Sequence, residues 1–194
     1  MDLRIQKTYR ALTGAFTRLL SQNRYENISV AALCDEAMIR RTTFYKHFRD
    51  KDDFFVFFIN DLREDFLTRG AERADAKTPG HRSPEAERES TLRQLASFLL
   101  EHKALMDNIF KSSMSGTMTL VICDVVTDAL RERYRDRAGS DDPAASEALS
   151  RAAEFAAGGI VRLMQLWWQN SVLITSEDAF VQSTSELVGR VMEG

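Results

Sequence analysis

Apolar residues recur along this chain at steps of three and four, and strand-like alternation at steps of two is nearly absent. Ile5, Tyr9, Leu12, Phe16 and Leu19 form one such stripe, with Arg4, Lys7, Arg10 and Arg18 lying off it. That spacing puts the apolar side chains on one face of a helix and the charges on the other, so the first element is an amphipathic helix ending near Gln22. The same period continues almost to the end of the chain. An all-α fold is therefore expected.

The helices are unequal in length. After the first, Ser29 is placed to cap a short helix whose Val30, Leu33, Cys34 and Ala37 face inward. Another short helix covers about Arg40 to Phe48. Two segments then interrupt the periodicity: "ADAKTPGHRSPEAE" holds two of the three prolines around a glycine, and "DRAGSDDPAASE" holds the third. Both predict exposed loops. Long helices are expected over Lys51 to about Arg73, Glu85 to about Phe110 with an interruption, Met114 to Arg137, Pro143 to Asn170 and Ser176 to Met192. The spacing divides the chain into a three-helix head, residues 1–50, and a helical body, residues 51–194.

Charge follows the same division. Up to Lys51 there are ten Lys/Arg and five Asp/Glu, a net of +5; beyond it there are 16 and 24, a net of -8. A positive head on a negative body suits a protein in which only the head meets a polyanion. The 194 residues, 44% of them hydrophobic, suffice for a buried core. No apolar run approaches the roughly 18 residues that span a bilayer, and charges are scattered through the N-terminal segment. A cytoplasmic protein with no membrane partner is expected. Cys34 and Cys123 form no CxxC and have no neighbouring His cluster, so they predict buried small side chains rather than a metal site or a disulfide. There is no nucleophile matched to a base, no Gly-rich phosphate loop and no pair of His at metal-ligand spacing. No enzyme, cofactor or metal is expected.

The segment "AALCDEAMIRRTTFYKHFRDKDDF" carries the strongest functional signal. If Ile39, Phe44 and Phe48 turn inward, Arg41, Thr42, Tyr45 and Lys46 are left on the outer face of the Arg40–Phe48 helix. Cations in a first helical turn oppose the helix dipole by about 0.3–1 kcal/mol each, so Arg40 and Arg41 are poor choices for stability alone. An anion docking there would remove that penalty. In "DKDD", Asp50 is a sound cap with Asp53 three residues on, yet Lys51 stands where a carboxylate would be preferred; a phosphate at that helix start would meet both the free N–H groups and the ammonium. A short helix, a tight turn and a short basic helix make the helix-turn-helix layout, whose second helix enters the DNA major groove.

The stretch "ISVAALCDEAMIRRTTFYKHFRDKDDFF" resembles the N-terminal domain of the TetR family of bacterial transcriptional regulators over roughly Thr8 to Phe58. Thr43, Phe44, Tyr45, His47, Phe48, Lys51 and Phe54 fall at the family's spacing. The resemblance implies phosphate contacts from Thr43, Tyr45, His47 and Lys51, and base-edge contacts from Arg41, Thr42 and Lys46. It also implies a homodimer on double-stranded DNA that responds to a small-molecule effector, with repression the expected sense; the residues themselves do not separate repressor from activator. His47 is equally well placed to pack on the first helix, and Ser29 reads as a cap before it reads as a phosphate contact. Two positions depart from the family. Met38 stands where the turn usually has Gly, and a Cβ held at positive φ costs about 1–2 kcal/mol, so a non-standard turn is expected. Arg40 replaces the usual Ser, Thr or Asn cap, so the following helix should start late or fray.

Two features of the body bear on partners. In "SRAAEFAAGGIVRLMQLWWQN", Gly158 and Gly159 follow several alanines, and helical Gly costs about 1 kcal/mol relative to Ala unless a neighbour exploits the small profile. With the stripe Phe180, Thr184, Leu187, Val188 and Val191 on the last helix, this predicts a four-helix dimer interface, the alternative being packing inside one subunit. For an effector pocket the candidates are Phe58 and Phe66, then Phe98, Phe110, Met114 and Met118, which could equally be ordinary core. Asp124 and Arg162 interrupt apolar runs and could pair, face solvent or meet a polar ligand group. "GGIVRLMQLWWQN" also looks like the dihydroxyacetone-kinase-operon regulator branch of the family, a short similarity that identifies no ligand.

Overall fold

A computed structural model describes residues 3–75, 83–135, 143–170 and 172–193 of the chain. The helices run in order α1 (Leu3–Gln22), a single 3₁₀ turn (Tyr25–Asn27), α2 (Val30–Glu36), α3 (Arg41–His47), α4 (Lys51–Asp75), α5 (Pro84–Glu101), α6 (Lys103–Phe110), α7 (Ser115–Tyr134), α8 (Pro143–Trp168) and α9 (Glu177–Glu193). No strand forms among the described residues. The expected interruption between Glu85 and Phe110 falls at His102, where α5 gives way to α6. The central parts of the two expected loops lie outside the described residues.

The chain divides into two compact units, Met1–Thr68 with Leu99–Met118, and Arg69–Phe98 with Thr119–Gly194. In the first, Leu12 and Phe16 of the expected stripe are fully buried, together with Ala15 and Leu20, whereas Ile5, Tyr9 and Leu19 are half-buried. Phe16 meets the ring of Phe54 edge-on at 5.1 Å and that of Phe58 at 5.0 Å, and Phe48 meets Phe54 at 5.0 Å. Edge-to-face pairs of this kind add about 0.5–1.5 kcal/mol to the area buried. Phe58 is thus part of the packed core behind the head. Helix α6 brings Leu105, Met106 and Ile109 into the same core, and Asn108 Nδ2 donates to the Leu20 carbonyl at 2.6 Å, satisfying an acceptor at the end of α1.

In the second unit α8 and α9 pack on each other. Ala153, Ala156, Ala157, Ile160, Val161 and Met164 of α8 are buried, as are Phe180, Val181, Thr184 and Val188 of α9. The Trp167 ring stacks on Phe180 at 5.3 Å and 12°. Arg88 reaches the Glu193 carboxylate and the Tyr134 hydroxyl, and Tyr134 donates to Glu193 at 3.1 Å, tying α5, α7 and α9 together. A Cβ at Gly189 would come within 2.8 Å of the Arg88 guanidinium, the end of a flexible side chain that would have to shift. No single described helix is long and apolar enough to cross a membrane.

Candidate nucleic-acid interface

The interface is built from α2, α3 and the start of α4. Ser29 caps α2, its hydroxyl accepting from Ala32 N at 3.0 Å, so the capping role expected for it is realised. At the other end of α2 the Met38 N–H donates to Asp35 O at 3.2 Å and the Ile39 N–H to Cys34 O at 2.9 Å. These two bonds define a Schellman motif, which requires a left-handed residue immediately after the helix cap. Met38 supplies it at φ 55°. The turn therefore has the shape a glycine would give it, and Met38 carries the strain.

Helix α3 follows without a side-chain cap. Arg40 sits at the cap position in extended conformation, and the helix begins at Arg41. Phe44 is fully buried and Phe48 nearly so, which turns Arg41, Thr42, Tyr45 and Lys46 outward; all four are exposed, Tyr45 by 58% despite its aromatic ring. Among the described residues no carboxylate lies within ion-pair distance of Arg40, Arg41 or Lys46. The outer face expected from the sequence is present, with its cations open to solvent. Thr43 is half-buried beside it.

His47 and Lys51 are placed differently from an open phosphate contact. His47 packs edge-on to the Tyr9 ring of α1 at 5.3 Å, with its Nδ1 3.4 Å from the Tyr9 hydroxyl. Lys51 Nζ donates to the Tyr25 carbonyl at 2.8 Å and lies 4.1 Å from the centre of the Tyr25 ring. Burial lowers its affinity for a proton, against the pull of Asp52 and Glu26. An ammonium has three donors, so one carbonyl leaves two for another acceptor. The start of α4 matches expectation: Asp50 Oδ1 accepts from Asp53 N at 2.8 Å, and Asp53 accepts from Arg49 N at 3.0 Å and from the Arg49 guanidinium at 3.1 Å. These bonds, the backbone one foremost, hold the Asp53 carboxyl below its ordinary range.

A tie that the sequence does not suggest lies behind Lys51. The buried Tyr25 hydroxyl donates to the Asp52 carboxylate, and burial, then this bond, pushes its pKa far up. The adjacent Glu26 accepts from Ser113 N at 2.7 Å, which lowers its carboxyl pKa. An aromatic residue in a run of polar ones, "QNRYENIS", is the only local signal of this site.

The residues proposed for partners in the body fall into separate groups. Gly158 and Gly159 lie on the exposed face of α8, where an added Cβ would meet nothing within 4 Å. Phe155, one turn before them, is 73% exposed, and Leu187 of α9 is 48% exposed. Phe180 and Val188 are buried within the protomer against its own helices and are not available to a partner; Val191 is half-buried. The sequence reading passes over Phe155, although its spacing from Gly158 and Gly159 places it on their face. Of the effector candidates, Phe58, Phe66, Phe110, Met114 and Met118 belong to the first unit and Phe98 to the second. Phe58, Phe98 and Met118 are buried, whereas Phe66, Phe110 and Met114 are half-buried. Asp124 and Arg162 both face solvent, which is how α7 and α8 accommodate charges inside apolar runs; neither sits in the interior. Cys34 is buried and Cys123 half-buried, both as free thiols.

An exposed basic and aromatic helix, held by a second short helix across a tight turn, defines a helix-turn-helix DNA-binding head. Residues 12–56 match the family model of bacterial regulatory proteins, tetR family. No curated protein sequence matches the chain. Among solved structures it is similar to the dihydroxyacetone kinase operon activator DhaS, with a TM-score of 0.63 at 17% identity over 96% of both chains. It is similar also to a TetR transcriptional regulator from Rhodococcus sp. RHA1, with a TM-score of 0.60 at 15% identity over 97% of both chains. Residues 12–56 thus form a DNA-binding domain of the tetR family of bacterial regulatory proteins, and the likeness to solved structures shows the same fold over the whole length.

Proposed function

We propose that this regulator acts as a homodimeric, ligand-responsive repressor that binds a pseudo-palindromic operator with its two α3 helices in successive major grooves, about 34–36 Å apart. The observation that carries the reading is the outward row of Arg41, Thr42, Tyr45 and Lys46, anchored from behind by buried Phe44 and Phe48. Arg41 and Lys46 have the donors to read base edges, and Thr42 a hydroxyl and a methyl. Tyr45, Thr43 and the free donors of Lys51 suit phosphates, which fix register without reading sequence. His47 serves this face by packing under it.

The functional division falls at residue 50, with the recognition head before it and dimerisation and effector binding after it. The dimer contact uses the exposed face of α8, Phe155 with Gly158 and Gly159, joined by Leu187. A small apolar effector, for which half-buried Phe66, Phe110 and Met114 are candidate lining residues, lowers DNA affinity only as far as it prefers one spacing of the heads over another. The reading makes the protein a cytoplasmic binding module without catalysis.

Anisotropy titration of a labelled duplex from upstream of its own coding region, with and without an apolar ligand panel, tests binding and response together. Reporter expression from the same DNA should rise when the gene is deleted; a fall would reverse the sense to activation.

A further inference from the structure

We infer that Met38 is a sequence-reading residue whose thioether side chain packs on thymine methyl groups at the edge of the α3 footprint. The inference rests on the reading that the α3 face meets DNA. Two unfavourable features coincide at this one position. The backbone is held at φ 55°, where any side chain is strained, and the side chain it carries is 93% exposed. Glycine would remove both at once, because the Schellman motif that ends α2 asks only for the left-handed backbone. An outlier of this kind, persisting in a well-packed head, is a reason to look for function at the residue that bears it.

Its position says which function. Met38 lies three residues before Arg41, in the turn that delivers α3 to its outward face, and Arg40 and Arg41 beside it are exposed. A glycine turn lets backbone approach phosphate closely; a Met in its place holds the backbone off and presents four heavy atoms of apolar, polarisable surface instead. That surface has no charge and no donor, so it has nothing to offer a phosphate oxygen. Of the groups displayed in the major groove, the one it complements is the C5 methyl of thymine. Met38 would then add an apolar, base-dependent contact beside the polar ones made by Arg41 and Lys46.

The test uses the full-length protein and a duplex that it selects from a random-sequence pool, prepared once with thymidine and once with deoxyuridine, which lacks only the methyl. Wild type should bind the deoxyuridine duplex more weakly by about fourfold for each methyl group removed from under Met38, hence about fifteenfold over two half-sites. M38G should lose about fifteenfold less than wild type on that exchange, leaving only what contacts such as the Thr42 methyl draw from thymine, and its melting temperature should rise by about 2–4 °C as the strain is relieved. M38A, which keeps the strained Cβ and loses the thioether, should show the same reduced response to the methyl with no gain in melting temperature. If M38G and wild type weaken equally on deoxyuridine, or M38G holds the thymidine duplex as tightly as wild type, Met38 does not touch the methyl. If wild type selects no duplex at all, the reading of the α3 face fails, and the role of Met38 fails with it.

Discussion

Truncating Phe155 should separate the protomers without harming them. A Phe side chain presents about 200 Å² of apolar surface, and at 73% exposure roughly 150 Å² of it stands in solvent on α8. At ~25 cal/mol per Å² its removal from water is worth up to about 3.7 kcal/mol per protomer, counted twice in a two-fold contact. Association costs and imperfect packing consume much of that, so the expected loss for Phe155→Ser is about 2–4 kcal/mol per dimer, or roughly 30- to 1,000-fold in the dissociation constant. Sedimentation equilibrium over a wide concentration range measures it directly. Because the ring has little contact inside the protomer, helix content by circular dichroism should stay at the parent value. A dimer constant within threefold of wild type would place the interface elsewhere; a collapse of helix content would show that the ring belongs to the fold.

Gly158→Ala with Gly159→Ala should raise helix stability in the monomer by about 1 kcal/mol each, since nothing in the protomer obstructs a Cβ, while weakening the dimer if a partner backbone lies close; unchanged dimerisation in sedimentation would refute the close approach. Arg41→Ala should cost about 1–3 kcal/mol on operator and far less on random DNA, whereas Lys51→Ala should weaken both alike and reduce the salt slope by roughly one unit per subunit. Equal losses on both duplexes for Arg41→Ala, read by anisotropy across a salt series, would make Arg41 another backbone anchor. Acid should loosen the head: the folded-state pKa values of Glu26 and Asp53 are depressed, so their contribution is complete above the unfolded carboxylate range and is lost as pH falls through the folded values. Glu26→Gln should flatten the fall in melting temperature below about pH 4; an unaltered profile would remove Glu26 from that account.

The helices are legible in the sequence because their period is strong and their ends carry local chemistry. Asp50 capping α4 and Ser29 capping α2 each follow from residues within four positions of one another, whereas the turn at Met38, expected to be non-standard, keeps the left-handed shape a glycine would give it. What the period cannot tell is which surface covers a stripe. Phe180 and Val188 satisfy the same spacing whether a partner or the protomer's own helices lie over them, and here both are buried within the protomer, Phe180 under Trp167 of α8. Asp124 and Arg162 are ambiguous in sequence for a related reason, since their environment depends on helix rotation set by distant packing. The ties of Lys51 to Tyr25 and of Asn108 to Leu20 join residues 26 and 88 positions apart, and nothing local announces them.

The bond from Asn108 to Leu20 also sets an order of events during synthesis. At about 5–20 residues per second the ribosome needs roughly 4–18 s to add the residues that separate them. Through that interval α1 to α3 have been made, while α6, which buries Leu105, Met106 and Ile109 in the same unit, has not. The nascent head must wait with apolar surface uncovered, so a chain stalled or cleaved before Phe110 would be a substrate for chaperones and proteases rather than a free-standing DNA-binding head.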